Sequence, residues 1–459
     1  MVTALNTEDS RNAEVSGEFV NFAGERYYAI RNVDKMAPFF VSVISNVDHW
    51  LFASSTGGLT AGRISPETAL FPYITVDKIH DSLPHTGPKT ILRVTTNGQR
   101  RDWEPFNREH DDRYTISRHL YKNLLGNKLC FEEVNHDLQL EFRYTWVTSD
   151  EYGIARQCEL HNAGKEDVSI ELVDGLQNIL PAGTPRFTQT NSSNLVDAYK
   201  WTELDERTGM ALFALYSGIT DRAEPCESLK ANVVYCLGLN SPRVLISAEQ
   251  LGNFRRGKPL QQEVHKRGIR GSYFVNHSLD LASRSSQRWQ IVANIEQSQG
   301  QVVDLQKQLG IPSRLAEAIE ESVEQGSEGL ARIMAGSDGF QTTAEENVAV
   351  HHYANVLFNV LRGGFFYDQY NVSARDFTET IESFNRDVYA RNKDLLHGLP
   401  DELPYADLLA AVEEHGDAQL TRLCCEYLPI TFGRRHGDPS RPWNQFAICL
   451  LYTSPSPRD

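Results

Sequence analysis

Alternation of apolar and polar residues over positions 138–146 restricts the fold of this chain more than any other feature. The apolar members are Leu138, Leu140, Phe142, Tyr144 and Trp146, and one polar residue separates each from the next. Successive side chains of a β-strand point to opposite faces, so this period places one face on a core and the other in solvent. The segment is predicted to be a strand of a half-buried sheet.

Ten further segments in the first two thirds of the chain have a strand-like composition, with turn signals such as Asn97-Gly98 between them. They are residues 39–45, 50–54, 90–96, 128–134, 154–161, 168–176, 211–217, 232–237, 272–279 and 288–293. A parallel βαβ fold would place a helix between most of these strands, and no helical period occurs there. Residues 1–300 are therefore predicted to form a large antiparallel β-sandwich.

The pattern changes near residue 300, where apolar residues take a helical spacing. Short helices are predicted over 301–309, 313–325 and 328–335, bounded by Pro312 and Gly326, within a helical linker over 301–341. Thr343-Ala344-Glu345-Glu346 has the composition of a capping box and predicts the start of another helix. More helices are predicted over 376–396, 405–414 and 418–427, so residues 342–448 form a second, helical part of the chain.

Composition excludes several classes of function. The net charge of −16 disfavours a nucleic-acid-binding surface, because phosphate contacts need clustered Lys and Arg. No apolar run approaches the roughly 20 residues that span a bilayer, and the polar N-terminus lacks the core of a signal peptide. The seven cysteines are scattered without metal-ligand spacing, which favours reduced thiols in the cytoplasm. We expect no metal, no cofactor and no membrane partner.

The segment 45–82 is the first candidate for binding chemistry. Trp50, Tyr73, His80 and Asp81 are predicted to wall part of a sugar site, because aromatic rings stack on sugars while Asp and His bond hydroxyl groups. A phosphate cradle in the Gly-rich run 54–58 is disfavoured, since no helix follows it and the lysine of a phosphate-binding loop is absent. The plainer alternative is a long ordered loop that crosses the sandwich surface.

The acidic and aromatic stretch 102–113 is predicted to be a solvated loop. Its carboxylates lack the spacing of a calcium-binding loop.

A second candidate is a polar and aromatic cluster near the end of the chain. Its members are Arg434, Arg435, His436, Asp438, Arg441 and Trp443. The Pro-Ser-Arg-Pro pattern within it opposes a helix, so a rigid loop is predicted after a helix that ends near Tyr427. Its arginines and histidine would clamp an anion such as phosphate, and its Asp and Trp would bind a sugar. The alternative is an interdomain loop whose charges pair with the acidic sandwich.

Five segments give the chain a resemblance to a known enzyme family. They read WLFASSTGG (50–58), LFPY (70–73), DKIHDS (77–82), DGLQNILP (174–181) and FGRRHGDPSRPW (432–443). With the order of sandwich, linker and helices, residues 20–448 resemble the inverting disaccharide phosphorylases of the cellobiose phosphorylase type, glycoside hydrolase family 94, and their larger bacterial relatives. The resemblance implies that residues 342–448 begin an (α/α)6 barrel, and that the protein is a homodimer.

The resemblance also implies a reaction, in which an Asp protonates the glycosidic oxygen while inorganic phosphate, the co-substrate, attacks the anomeric carbon with inversion. That Asp is expected beyond the end of this chain, so no catalytic residue is assigned. Residues 449–459 have no helical or strand period and are interpreted as a non-native tail on an inactive N-terminal fragment. The oligosaccharide partner is expected to be β-linked. Two alternatives stay open: a glycoside hydrolase on the same architecture, and a non-catalytic carbohydrate-binding or assembly module.

Overall fold

The computed structural model describes residues 14–96, 98–219, 227–336, 340, 345–360 and 371–434. The chain divides into two compact units, Met1–Gly326 and Ser327–Asp459.

The strands of the described residues, in chain order, are β1 (Ser16–Phe22), β2 (Glu25–Arg31), β3 (Phe40–Val43), β4 (His49–Ser54), β5 (Leu59–Arg63), β6 (Gly87–Thr96), β7 (Gln99–Trp103), β8 (Ile116–Asn123), β9 (Leu129–Asn135), β10 (Leu140–Ser149), β11 (Gly153–Asn162), β12 (Val168–Ile179), β13 (Lys200–Asp205), β14 (Met210–Leu215), β15 (Lys230–Leu237), β16 (Arg243–Leu245), β17 (His265–Arg267), β18 (Gly271–Leu281), β19 (Ser286–Ser298), β20 (Asn371–Ser373) and β21 (Glu402–Pro404). The helices are α1 (Arg186–Asn191), α2 (Ser193–Tyr199), α3 (Leu251–Arg255), α4 (Gln299–Leu309), α5 (Pro312–Gly336), α6 (Glu346–Val360), α7 (Ala374–Phe384), α8 (Arg386–Arg391), α9 (Lys393–Gly398), α10 (Tyr405–His415) and α11 (Ala418–Arg434).

Antiparallel sheets dominate the first unit, as the sequence predicts. Among described residues, the larger sheet runs in the order β1-β2-β8-β9-β10-β11-β19-β15-β14-β13-β17, and a smaller sheet runs β16-β18-β12-β6-β7. Apolar side chains from both sheets, such as Phe142 of β10 and Leu172 of β12, share one buried core. A third, three-stranded sheet contains β3, β4 and β5. The prediction of a large antiparallel β-domain followed by helices is confirmed.

Strand β10 carries the alternation that predicted it. Leu140, Phe142 and Tyr144 are buried, and the residues between them are partly exposed. From Trp146 onward every residue of the strand is buried, because apolar side chains of α4 and α5, among them Leu309 and Ile319, cover the other face of the larger sheet. The sheet therefore has a core on each face over this stretch.

The predicted helix boundary at Gly326 is wrong, because the structure has one helix from Pro312 to Gly336. Buried apolar residues continue at helical spacing across the glycine, from Ile319 and Val323 to Leu330 and Met334. A glycine inside a helix costs only about 1 kcal/mol relative to alanine. Burial of a continuous apolar stripe exceeds that cost.

The second unit is mainly helical. The single helix predicted over 376–396 is instead α7, α8 and α9. Asn385 is extended, and its side chain accepts hydrogen bonds from the N–H groups of Asp387 and Val388. This cap separates α7 from α8. The described core includes Phe377 of α7, and the Tyr427 hydroxyl of α11 donates to Asp376 Oδ2 at 2.6 Å.

Candidate functional site

A cleft of about 810 Å³ lies in the first unit. Its walls come from residues 80–84, residues 88–91 at the start of β6, and residues 102–113, which begin at the end of β7, together with Arg255 of α3. Tyr144 of β10 and Arg156 of β11 also line it. Small-molecule sites commonly occupy roughly 300–1,000 Å³, so the cleft has the dimensions of a ligand site.

The 102–113 loop is anchored to the larger sheet by one buried carboxylate. Glu133 of β9 accepts hydrogen bonds from Trp103 Nε1 at 2.7 Å, from the Phe106 N–H at 2.6 Å and from Arg118 Nε at 2.7 Å. Glu133 and Trp103 are fully buried. The prediction of a solvated loop is therefore wrong for much of this segment, because its partners come from strands β8 and β9, which follow it in the chain.

Phe106 takes a left-handed backbone conformation, with φ of 65°. Such a conformation is unfavourable for a bulky residue and needs support from its surroundings. The support is the N–H bond to Glu133 and edge-to-face packing on Tyr144, with ring centroids 5.3 Å apart. The loop thus holds an aromatic ring at the cleft.

Glu104 forms a charged group at the cleft edge with Arg255 and Lys89. Arg255 Nε lies 2.5 Å from Glu104 Oε1 and Arg255 Nη2 lies 2.9 Å from Oε2, while Lys89 Nζ is 3.5 Å from Oε2. Burial alone would raise the pKa of Glu104, but the Arg255 hydrogen bonds and the Lys89 charge hold this pKa below its usual range. Glu104 is therefore ionised at neutral pH and does not serve as a general acid there.

His110 is a buried neighbour of this group. The Glu104 N–H donates to His110 Nδ1 at 3.2 Å, which places the proton of the neutral ring on Nε2. Burial lowers the pKa of His110, although the Glu104 charge opposes that shift. The ring is neutral near pH 7.

The cleft floor joins the two sheets through a buried ion pair. Asp174 of β12 accepts from Arg156 Nη1 at 2.7 Å, from Thr90 Oγ1 at 2.6 Å and from Trp289 Nε1 at 2.7 Å. The side chains of Arg156 and Asp174 are 1% and 0% exposed. With its carboxylate surrounded by donors, Asp174 is suited to fixing Arg156 in place rather than to accepting a substrate proton.

Two of the residues predicted from segment 45–82 lie at this cleft. His80 and Asp81 line it. His80 is fixed by a 2.7 Å hydrogen bond between its Nδ1 and Ser54 Oγ, and its carbonyl accepts from Thr56 Oγ1 at 2.8 Å. The Gly-rich run belongs to the turn between β4 and β5, where the Gly57 N–H donates to the Ser54 carbonyl at 2.8 Å.

Trp50 and Tyr73 pair with each other and do not line the cleft. Their rings meet edge to face with centroids 5.3 Å apart. Trp50 Nε1 donates to the Ser65 carbonyl at 3.1 Å, and the Arg186 guanidinium lies over the Tyr73 ring at 5.2 Å. The four residues predicted for one sugar site are thus in two places.

The second predicted cluster has one residue in the described part of the chain. Arg434 is the last residue of α11, so the prediction that it lies on a loop is wrong: the helix passes Pro429 and continues seven residues beyond Tyr427. Arg435, His436, Asp438, Arg441 and Trp443 lie outside the described residues.

Sequence reasoning missed Lys89, Glu104, His110 and Arg255 as site residues. The only local signal was the mixture of acidic and aromatic residues in 102–113; Arg255 is about 150 residues from Glu104 along the chain. In the described ranges, no three His, Cys, Asp or Glu side chains are grouped as a metal site would need. None of the described helices combines the length and apolar character required to cross a membrane.

Comparison with known proteins gives one family match, for part of the chain. Residues 366–429 match the model of glycoside hydrolase family 149 insertion domain 1. No match was found among proteins of curated function. The matched segment lies within residues 342–448, where the family resemblance implies the start of an (α/α)6 barrel, and that barrel stays a prediction.

Several solved structures are similar to the chain at a low level. A bacterial glucoamylase in complex with acarbose has 9% identity and a TM-score of 0.39, with 79% of this chain and 51% of that chain covered. A protein described as a kojibiose phosphorylase, from the human microbiome, has 10% identity and a TM-score of 0.32, with 82% and 44% covered. Heparinase III has 10% identity and a TM-score of 0.26, with 59% and 36% covered. These TM-scores are too low to carry an argument.

The chain thus spans about half the length of the first two of these structures. The family match agrees with the broad group that the sequence resemblance indicates, although the matched family is 149 and cellobiose phosphorylase itself is not singled out. Residues 366–429 link this chain to the carbohydrate-active enzymes, the group that contains glycoside hydrolases and glycoside phosphorylases.

Proposed function

We propose that this chain is the N-terminal part of a glycoside phosphorylase that cleaves a β-glucoside or related oligosaccharide with inorganic phosphate and with inversion. The match of residues 366–429 to a glycoside hydrolase family 149 domain is the observation that carries the proposal. The resemblance of five separate sequence segments to inverting disaccharide phosphorylases supports the choice of phosphorolysis.

In this reaction a carboxylic acid protonates the leaving oxygen while phosphate attacks the opposite face of the sugar. Glu104 does not fit the role of that acid, because its folded-state pKa is lowered. Asp174 does not fit either, because it is fully buried and bonded to Arg156. As the family resemblance implies, the proposal places the acid elsewhere in the protein and expects the 459-residue chain to be inactive. It also includes a cytoplasmic location and a homodimer.

Hydrolysis on the same architecture is the second candidate, because the matched model bears the name of a glycoside hydrolase family. The two reactions differ in the nucleophile, which is phosphate in one and water activated by a second carboxylate in the other.

Phosphate dependence separates these candidates. The complete product of the source gene is incubated with cello-oligosaccharides with and without inorganic phosphate, and ³¹P NMR follows the products. We expect an α-configured glucosyl phosphate that forms only when phosphate is present, and no turnover by the 459-residue chain under the same conditions. Release of free sugar at the same rate without phosphate would favour hydrolysis. Turnover by the 459-residue chain would contradict the placement of the acid.

A further inference from the structure

The cleft floor contains two buried polar atoms that find no hydrogen-bond partner among the described residues. They are the Tyr144 hydroxyl and Arg156 Nε. Both side chains line the cleft, and Tyr144 is 1% exposed. An unsatisfied buried polar group destabilises the folded protein, so its presence calls for an explanation, which a bound ligand would supply.

The position of the Tyr144 hydroxyl is marked by Gly57, which has a φ of 95°. A Cβ atom on Gly57 would lie 3.5 Å from this hydroxyl and 3.2 Å from Leu83 Cδ1. Leu83 is a half-buried residue of the cleft wall. The hydroxyl and the end of the flexible Leu83 side chain therefore both lie near Gly57, where a change of the Leu83 rotamer alters the space available.

The charges of the cleft lining are nearly balanced. Five Lys or Arg and four Asp or Glu side chains line it, and Asp174 beneath the floor neutralises Arg156. An anion such as phosphate would meet the carboxylates of Asp81, Glu104 and Glu109. A neutral ligand would meet no net charge, and the lining would offer it both donors and acceptors.

We propose that this cleft binds a neutral glycosyl unit, with the Tyr144 hydroxyl donating to or accepting from one sugar hydroxyl. Each sugar hydroxyl both donates and accepts, which suits a lining of mixed ammonium, guanidinium and carboxylate groups. Phe106 provides apolar surface beside Tyr144. This site takes the same class of ligand as the proposed phosphorylase but needs no catalysis, and a phosphorylase activity does not require it.

Replacement of Tyr144 by phenylalanine tests the site. The substrate probes are cellotriose and maltotriose, and inorganic phosphate is the anionic probe; isothermal titration calorimetry measures binding to the 459-residue chain. We expect one trisaccharide to bind and phosphate not to bind. Y144F should weaken trisaccharide binding roughly tenfold through loss of one hydrogen bond. Its melting temperature should stay equal or rise, because the lost hydroxyl has no partner in the free protein.

Tyr235 supplies a matched control. Its hydroxyl is also buried without a partner among the described residues, but it lies in the core between the larger sheet and α4 and α5, away from the cleft lining. Y235F should leave the trisaccharide affinity unchanged, and it should shift the melting temperature by no more than Y144F does. The inference is overturned if neither trisaccharide binds, if phosphate binds in their place, or if Y144F and Y235F bind equally well.

The two proposals fail in different ways. Trisaccharide binding that depends on Tyr144, combined with no phosphorolysis by the complete gene product, removes the proposed function and leaves this site. Phosphorolysis combined with no Tyr144-dependent binding removes this site and leaves the proposed function.

Discussion

Two arginine–carboxylate groups of the sandwich have similar geometry and different surroundings. Arg156 Nη1 lies 2.7 Å from Asp174 Oδ1, and both side chains are almost completely buried between the two sheets. Arg255 Nε lies 2.5 Å from Glu104 Oε1 at the cleft edge, where the Arg255 side chain is 43% exposed. Burial, rather than distance, decides what each pair contributes. Removal of Asp174 leaves the Arg156 charge without water, whereas removal of Glu104 leaves the Arg255 charge partly hydrated.

The comparison also separates structural roles from ligand-binding roles. Asp174 is not in contact with water, so a ligand could not replace water there. In the second pair, Arg255 stays in contact with water. Of the two ion pairs, the Glu104 group is therefore the better candidate for direct contact with a sugar, and Asp174 is the better candidate for holding Arg156 in the cleft floor.

The largest effect is expected for Asp174→Asn. The variant leaves the Arg156 charge buried without a counterion and removes an acceptor from Thr90 or Trp289, which should lower the free energy of unfolding by about 3–5 kcal/mol. Urea denaturation followed by tryptophan fluorescence measures the change. Asp280→Asn is the control, because Asp280 lies on the neighbouring strand β18 and accepts from Ser169 at the surface. Equal losses of unfolding free energy in the two variants would contradict the conclusion that burial decides what an ion pair contributes.

Glu104→Gln should have an intermediate effect, a loss of about 1–2 kcal/mol at pH 7, because it weakens hydrogen bonds to a charged group. The loss should depend on pH. The folded-state pKa of Glu104 lies below its ordinary value, so its stabilising contribution is complete above that ordinary value and disappears as the pH falls through the folded-state pKa. Urea denaturation at pH 7 and at pH 3 should therefore show the wild type and E104Q converging in acid. A difference that stays constant would argue that packing, and not charge, gives the effect.

Arg255→Ala should have the smallest effect, no more than about 1 kcal/mol, because the removed guanidinium is 43% exposed and Lys89 Nζ still lies 3.5 Å from Glu104 Oε2 as a counterion. Arg256→Ala is the matched control, since Arg256 is the next residue and bonds Asn253 instead of a carboxylate. A double-mutant cycle of R255A with E104Q measures the pair itself. A coupling as large as the D174N effect would remove the distinction between the two groups.

Local periodicity predicted most of the sheet content. The alternation around Phe142 and Tyr144 led to β10 because both the pattern and the burial are local to one strand. The same reasoning placed a boundary at Gly326, where packing of the apolar stripe through Leu330 keeps the helix intact. The helix propensity of one residue contributes little free energy compared with burial of apolar side chains. Burial depends on residues distant in sequence, which a local pattern does not reveal.

The site was less predictable than the fold. His80 and Asp81 could be singled out from their residue types, but their separation from Trp50 and Tyr73 depends on how β4, β5 and the following loop pack. Glu104 was assigned to a solvated loop because its burial depends on a chain of long-range contacts. These are the anchoring of its loop by Glu133 and its ion pair with Arg255.

The buried Asp174 also affects which alternative strand registers are unfavourable for this chain. It lies on β12 directly opposite Thr90 of β6, and its partner Arg156 lies on β11 of the other sheet. A slip of β12 by one residue would turn Asp174 to the opposite face and leave the Arg156 charge alone in the core. Misaligned pairings are thereby penalised far more than they would be by an apolar pair of equal volume. We therefore expect this ion pair to act as a check on the alignment of the two sheets, favouring the observed register over its neighbours.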